Sequence, residues 1–153
     1  MKRFIRHWLD MPPLWMLLFL AVIWRQSLIW NPLGFDNGLI RGAGWGLILA
    51  ALALMGWASV QFVVKRTSIV PRNRPKALIA EGPYRISRNP IYLADAMVVL
   101  GFALVMGSAI GVILVPVFMW IIQRRFILGE EAGLRTAYPD QSQPYFTATR
   151  RWL

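Results

Sequence analysis

From residue 43 to residue 64 the chain runs for 22 residues without a charged side chain. At 1.5 Å per helical residue this reaches about 33 Å, enough to cross the ~30 Å hydrocarbon core of a bilayer. Three further apolar runs, at residues 12–30, 91–105 and 109–128, surround it. With 57% apolar residues and eight Trp in 153, too little polar surface remains to cover a water-soluble core. A backbone in lipid must satisfy its own N–H and C=O groups, which leaves helices as the spanning element here. The expected fold class is therefore all-α, an integral membrane bundle of about four transmembrane helices, with residues 1–153 forming one domain.

The basic residues fix the expected orientation. Of 17 Lys and Arg, Lys2, Arg3 and Arg6 precede the first apolar run, seven lie between Lys65 and Arg88, and five lie at or beyond the end of the last apolar run. Only Arg25 and Arg41 fall in the remaining connection. This alternation is what the positive-inside rule produces, so the N-terminus, the central loop and the C-terminus are expected on the cytoplasmic side. The same placement argues against nucleic acid as the reason for the net charge of +10. Residues 23–26 offer no small-residue cleavage site, so the first apolar run is expected to stay as an anchor, with Arg25 snorkelling to the headgroups.

Residues 31–42, rich in Gly, Asn and Pro, read as a short outer loop, and residues 65–90, with Pro71, Pro75, Pro83 and Pro90, as a polar loop that cannot be one helix. Residues 91–105 and 109–128 read as a helical hairpin turning at Met106-Gly107-Ser108. Gly101, Gly107 and Gly111 either let its helices approach closely or reflect ordinary membrane composition. Beyond Gly129 the spacing predicts a short helix from Glu130 to about Ala137, a break at Pro139 and Pro144, and a surface tail.

Without Cys and with His7 as the only His, thiolate chemistry, His-based metal sites and a Ser-His-Asp triad are excluded. What remains is two polar clusters at the ends of the hairpin: residues 82–93 (GPYRISRNPIYL), and Gln123-Arg124-Arg125 with Glu130-Glu131. Both arms return to one membrane face, so the clusters should meet. Pro90 can open the third helix without losing a needed N–H, and Tyr84 and Tyr92 supply apolar faces with hydroxyl ends. Two adjacent carboxylates beside anionic lipid call for a cation, either internal, from Arg124 or Arg125, or on a ligand bearing an amine or sulfonium. Asp95, one turn after Tyr92 in an apolar helix, costs several kcal/mol unless it meets a partner or a polar cavity. It is either paired with a loop Arg, or a headgroup contact or proton acceptor.

The order Arg66-Thr67, Pro71, Arg74-Pro75, Leu78-Ile79, Gly82-Pro83-Tyr84, Arg88-Asn89-Pro90, Tyr92-Leu93, then Glu130-Glu131, Leu134, Tyr138, Tyr145 and Arg150-Arg151-Trp152, resembles the isoprenylcysteine carboxyl methyltransferase and phospholipid methyltransferase superfamily. The resemblance covers about residues 60–153, with 1–59 as an N-terminal transmembrane region. It implies a membrane enzyme, in a bacterial inner membrane, that moves a methyl group from S-adenosylmethionine to a lipophilic acceptor. The cofactor pocket would be built by the central loop, the following helix and the C-terminal segment rather than by a Rossmann fold. On this resemblance Leu78, Ile79, Tyr84, Asn89, Pro90, Ile91, Tyr92 and Glu130 would hold the cofactor, and Arg124 or Arg125 would face the acceptor. The eukaryotic carboxyl methyltransferases have His at the position of Asn89, which can hydrogen-bond but not titrate. In the tail, Tyr138-Pro139 and Ser142 depart from the superfamily's pattern.

A sulfonium methyl is already activated for displacement, so the protein chiefly has to align the reactants and exclude water. A carboxylate acceptor needs only an arginine to orient it; an amine acceptor must first lose a proton, with Asp95 or Glu131 as base. The acceptor is expected to be a lipid or lipophilic small molecule, with no metal, no nucleic acid and no obligatory protein partner. The alternative is a non-enzymatic helical membrane protein acting in lipid binding or assembly.

Overall fold

In the computed structural model, residues 11–66 and 78–153 are described. The basic N-terminal residues, His7 and the motif residues Thr67, Pro71, Arg74 and Pro75 lie outside them. The described residues form an all-α membrane bundle: α1 (Pro12–Ile29), α2 (Gly38–Val64), a 3-10 turn (Gly82–Arg85), α3 (Pro90–Val105), α4 (Ala109–Ile122), a π-helical turn (Gln123–Ile127), α5 (Leu128–Ala137) and α6 (Pro139–Ala148). Pro12–Ile29, Gly38–Val64 and the unbroken path Ala109–Ala137 are long and apolar enough to cross a membrane. Pro90–Val105 is a shorter apolar helix.

Three departures from the sequence expectations have local causes. First, α2 begins at Gly38 rather than near residue 43, because the Asn37 side chain accepts the N–H groups of Leu39 (2.9 Å) and Ile40 (3.2 Å) and so caps the helix. Arg41 is accommodated inside it by pairing with Asp36 at 2.6 Å, an exposed contact. Second, the short helix expected at Glu130 is continuous with the hairpin's second arm through the π turn, in which the Leu128 N–H reaches back to Gln123. Third, the chain does not break at Pro144. Pro139 opens α6 at a position where its missing N–H is not needed, and Pro144 lies within the helix. Buried Tyr145 anchors that helix by donating its hydroxyl to the Tyr84 carbonyl at 2.9 Å, so tertiary contact outweighs local propensity.

Packing follows the small residues. The buried positions of α2 are Gly44, Ala51 and Ala58, one every seven residues, a stripe facing α3. Where the helices cross, a Cβ on Gly101 would stand 2.7 Å from the Gly44 carbonyl oxygen, and a Cβ on Gly44 would stand 2.7 Å from that of Gly101. The contact is therefore backbone to backbone, but Gly101 brings α3 against α2 rather than, as expected from sequence, against the other arm of the hairpin. Gly111 likewise sits against Ala103 and Ile23. The main core joins Phe19 and Ile23 of α1, Val99 and Ala103 of α3, Val115, Phe118 and Ile122 of α4, and Phe126 and Ile127 of the π turn. The outward faces, with Leu17, Trp45, Leu49, Leu52, Val63, Ile113 and Trp120, are apolar and exposed, as a lipid solvent requires.

The hairpin turn is clipped at one end of the bundle. Gly107 takes φ +60°, and a Cβ there would lie 2.0 Å from the Phe35 carbonyl. The Gly107 carbonyl accepts the Phe35 N–H at 3.0 Å and the Asn31 amide at 3.2 Å. Ser108 caps α4 by accepting the Gly111 N–H at 2.9 Å, while its hydroxyl donates to Gln26 at 2.6 Å. Both polar clusters lie at the opposite end of the hairpin.

Candidate functional site

The π turn is the local event that builds the site. Along α4 the buried residues are Gly111, Val115, Phe118 and Ile122. The next are Phe126 and Ile127, then Glu131. The step of five from Ile122 to Ile127 is the π-helical spacing, and it rotates the inward stripe so that a carboxylate, not an apolar side chain, arrives at the interior. Glu131 is 3% exposed, and Glu130 beside it turns toward α3. There the Tyr92 hydroxyl donates to the Glu130 carboxylate at 2.7 Å. The two clusters predicted to meet are thus in direct contact.

The start of α3 is held from below. Pro90 is fully buried at the first helical position. Ile91 and Tyr92 keep backbone N–H groups that no described residue accepts, as the first turn of a helix must. Asn89 adopts a non-helical backbone, gives its N–H to the Ser87 hydroxyl at 3.1 Å and its side-chain amide to the Arg151 carbonyl at 3.0 Å. A second apolar floor forms alongside, from Ala58 of α2, Ile79 and Tyr84, with Phe62 and Ile91 against it. The Tyr84 ring meets Phe62 edge-on at 5.9 Å. Leu78, next to Ile79, is half-buried. Burial, reinforced by Tyr145 and Glu130, pushes the Tyr84 hydroxyl well above the usual phenol range; burial also raises that of Tyr145. Both are therefore neutral groups at physiological pH.

The glutamate pair divides its partners. Glu131 accepts two bonds from the Arg151 guanidinium, at 2.9 and 2.7 Å, and lies 3.3 Å from Arg88. The cations on Glu131 are thus Arg88 and Arg151 rather than the Arg124 or Arg125 expected from sequence distance. The reason is again the π turn, which aims the carboxylate at the loop and tail rather than back along its own helix. The bond to Glu131 holds the Arg151 guanidinium above its ordinary value, against an opposing desolvation effect. Arg88 also lies over the Phe146 ring, 4.8 Å from its centre. Arg125 lies over the Trp15 ring of α1 at 5.1 Å, and Arg124 is exposed.

Asp95 is 3% exposed, one turn deeper along α3 than Tyr92. Among the described residues no hydrogen bond or ion pair reaches it, so the loop-Arg pairing is not seen. Sequence reasoning missed Ser87 as an organiser of the helix start, and the pairing of Arg88 and Arg151 with Glu131. The basic and acidic residues were visible, but no local spacing links residues 43 and 20 positions apart.

Comparison with known proteins follows the same lines. The model of a family described as phospholipid methyltransferase matches residues 39–141. No curated protein and no solved structure matches the chain. The matched segment contains α2 from its second residue, the 3-10 turn, the hairpin, the π turn and the glutamate pair, and spans well over half of the sequence. A methyltransferase family, an all-α membrane bundle and two polar clusters joined at one end of its hairpin agree with one another: the chain belongs to the phospholipid methyltransferase family.

Proposed function

We propose that this protein transfers a methyl group from S-adenosylmethionine to the amine of a membrane lipid. The observation that carries the reading is the contact between Tyr92 and Glu130, which sets a carboxylate, two open backbone N–H groups and aromatic faces around one spot at the bundle's end. These donors and acceptors fit the cofactor's groups. Glu130 suits a cationic end, the Ile91 and Tyr92 N–H groups suit an anionic or polar end, and Ile79, Leu78 and Tyr84 form an apolar bed for a flat ring. When bound, S-adenosylmethionine supplies a methyl carbon already activated by its positive sulfur.

The residues' tasks follow from charge. Glu130 faces a cation that is present before reaction and absent from the sulfur afterwards, so it favours binding over the chemical step. Asn89, Pro90 and the helix start fix the direction of approach. An amine acceptor reaches the site protonated at neutral pH and must give up that proton before its nitrogen can form the new C–N bond as the C–S bond breaks. Glu131 is held by two guanidiniums, which leaves Asp95, buried and unpaired among the described residues, to take the proton. Arg124 and Arg125 stand where the lipid's anionic groups would approach, with Arg125 stacked on Trp15. By the distribution of basic residues this end faces the cytoplasm.

The test is to incubate purified protein with methyl-labelled cofactor and total membrane lipid, and to identify the labelled product. The label is expected on a lipid nitrogen, and Asp95→Asn is expected to stop turnover while cofactor still binds. Label recovered as a methyl ester, with Asp95→Asn as active as wild type, would replace the amine by a carboxylate acceptor. Normal insertion with no cofactor binding would point instead to a lipid-binding or assembly role.

A further inference from the structure

The segments that form the proposed site are tied together by four residues outside it. After α6 the chain leaves regular structure through Thr149, Arg150, Arg151 and Trp152, bending at Thr149 and Arg151, and each neighbouring segment is bonded to this strap. The Arg88 N–H donates to the Arg150 carbonyl at 2.9 Å. The Arg151 carbonyl accepts from the Ser87 hydroxyl at 3.2 Å and from the Asn89 side-chain amide at 3.0 Å. The Arg151 guanidinium grips both oxygens of Glu131, and the Trp152 indole N–H donates to Gln123 in the π turn at 3.0 Å. The strap thus touches the start of α3, the first turn of α5 and the π turn.

Two features give this tie chemical content. A backbone carbonyl can only accept, so the group of Asn89 that faces Arg151 is its NH2 and the opposite oxygen is turned away, with no donor among the described residues. Asn89 therefore presents an acceptor to whatever lies above the helix start. Glu130 and Glu131 are neighbours on one helical turn; Glu131 is fastened to Arg151 on one side while Glu130 meets Tyr92 on the other. A planar guanidinium bound through two N–H groups fixes direction as well as distance, which a single ammonium does not.

We propose that Arg151 is a positioning residue for the cofactor site: its guanidinium sets the rotation of α5 that points Glu130 at Tyr92, and its carbonyl sets the side chain of Asn89 with the oxygen toward the ligand. This rests on the methyltransferase reading above. It assigns Arg151 no contact with the reacting atoms. The consequence is that loosening it should weaken cofactor binding selectively, leaving acceptor binding and the chemical step largely as they are.

The test compares wild type, Arg151→Lys, Arg151→Leu and Glu130→Gln in detergent, measuring S-adenosylhomocysteine affinity by calorimetry, KM for each substrate, kcat, and hydrogen exchange of the ligand-free Arg88 and Asn89 amides. Arg151→Leu is expected to lower affinity and raise the cofactor KM on the order of tenfold, the scale of a charged hydrogen bond. The acceptor KM should hold, kcat at saturating cofactor should change by no more than about threefold, and the two amides should exchange faster. Arg151→Lys, which keeps the charge and loses the fork, should fall between, and it decides the matter if the Leu variant does not fold. Cofactor affinity within about twofold of wild type in the Arg151 variants, while Glu130→Gln has lost it, overturns the proposal. So does a fall in kcat with both KM values unchanged, the mark of a smaller folded fraction. A wild-type protein that binds no S-adenosyl compound overturns the methyltransferase reading and this proposal with it.

Discussion

Replacing Gly101 by Ala should destabilise the bundle, whereas the same change at Gly46 on the same α2–α3 pair should not. At Gly101 the new Cβ would stand 2.7 Å from the Gly44 oxygen and 2.7 Å from the Ile48 side chain. Ordinary carbon to oxygen contacts lie at about 3.3–3.6 Å and carbon to carbon contacts at about 3.5–4.0 Å, so α2 and α3 must separate by roughly 0.6–1 Å. A gap of that size forfeits about a quarter to a half of the dispersion energy along the seam, and overpacking of this kind costs about 1–3 kcal/mol. At Gly46 a Cβ meets nothing within 4 Å, so Ala there should be neutral or stabilise by up to about 1 kcal/mol through helix propensity. Reversible unfolding of both variants in mixed micelles, read by Trp fluorescence, measures the difference. Since α2 carries Ala58 and Phe62 under Tyr84 and Ile91, the Gly101 variant should also loosen the apolar floor of the site. Equal stability of Gly101→Ala and Gly46→Ala would refute the backbone-to-backbone crossing.

Gly107→Ala puts an L side chain at φ +60° with its Cβ 2.0 Å from the Phe35 oxygen, so it should break the clip between the hairpin turn and residues 31–35 and lower folded yield more than Gly101→Ala; size-exclusion recovery checks this. Tyr84 and Tyr145 have folded-state hydroxyls raised above the ordinary value of 10.0, so their contribution is fully present below pH 10 and declines as the pH rises beyond it. Stability followed from pH 8 to pH 12 should fall over the alkaline part of that range, and Tyr145→Phe, already weakened by loss of the bond to the Tyr84 carbonyl, should show a shallower decline.

What the sequence made legible was whatever depends on composition and local spacing. Charge-free runs gave the helices, Pro90 gave the start of α3, and Met106-Gly107-Ser108 gave the turn. The meeting of Tyr92 with Glu130 followed from topology alone, because both arms of a hairpin return to one face. What stayed hidden depends on long-range pairing or on a small backbone change. Nothing in Gln123-Arg124-Arg125-Phe126-Ile127 announces a π turn, yet that turn decides which way Glu131 points and so gives it Arg88 and Arg151 as partners rather than Arg124 or Arg125. Pro144 carried a strong local signal for a break, and the anchoring of Tyr145 overrode it. Asn37 began α2 early through a cap that reads equally well as loop composition.

The measurement that bears most directly on the site is calorimetric titration of S-adenosylmethionine into wild-type protein and into Glu130→Gln, with thermal melting of both as a check on folding. A pocket closed by Tyr92 and Glu130 predicts saturable binding to wild type and a loss of about tenfold or more in the variant, at a melting temperature close to wild type. Identical affinities for the two proteins, or no binding to either, would mean that the hairpin's joined end does not hold the methyl donor.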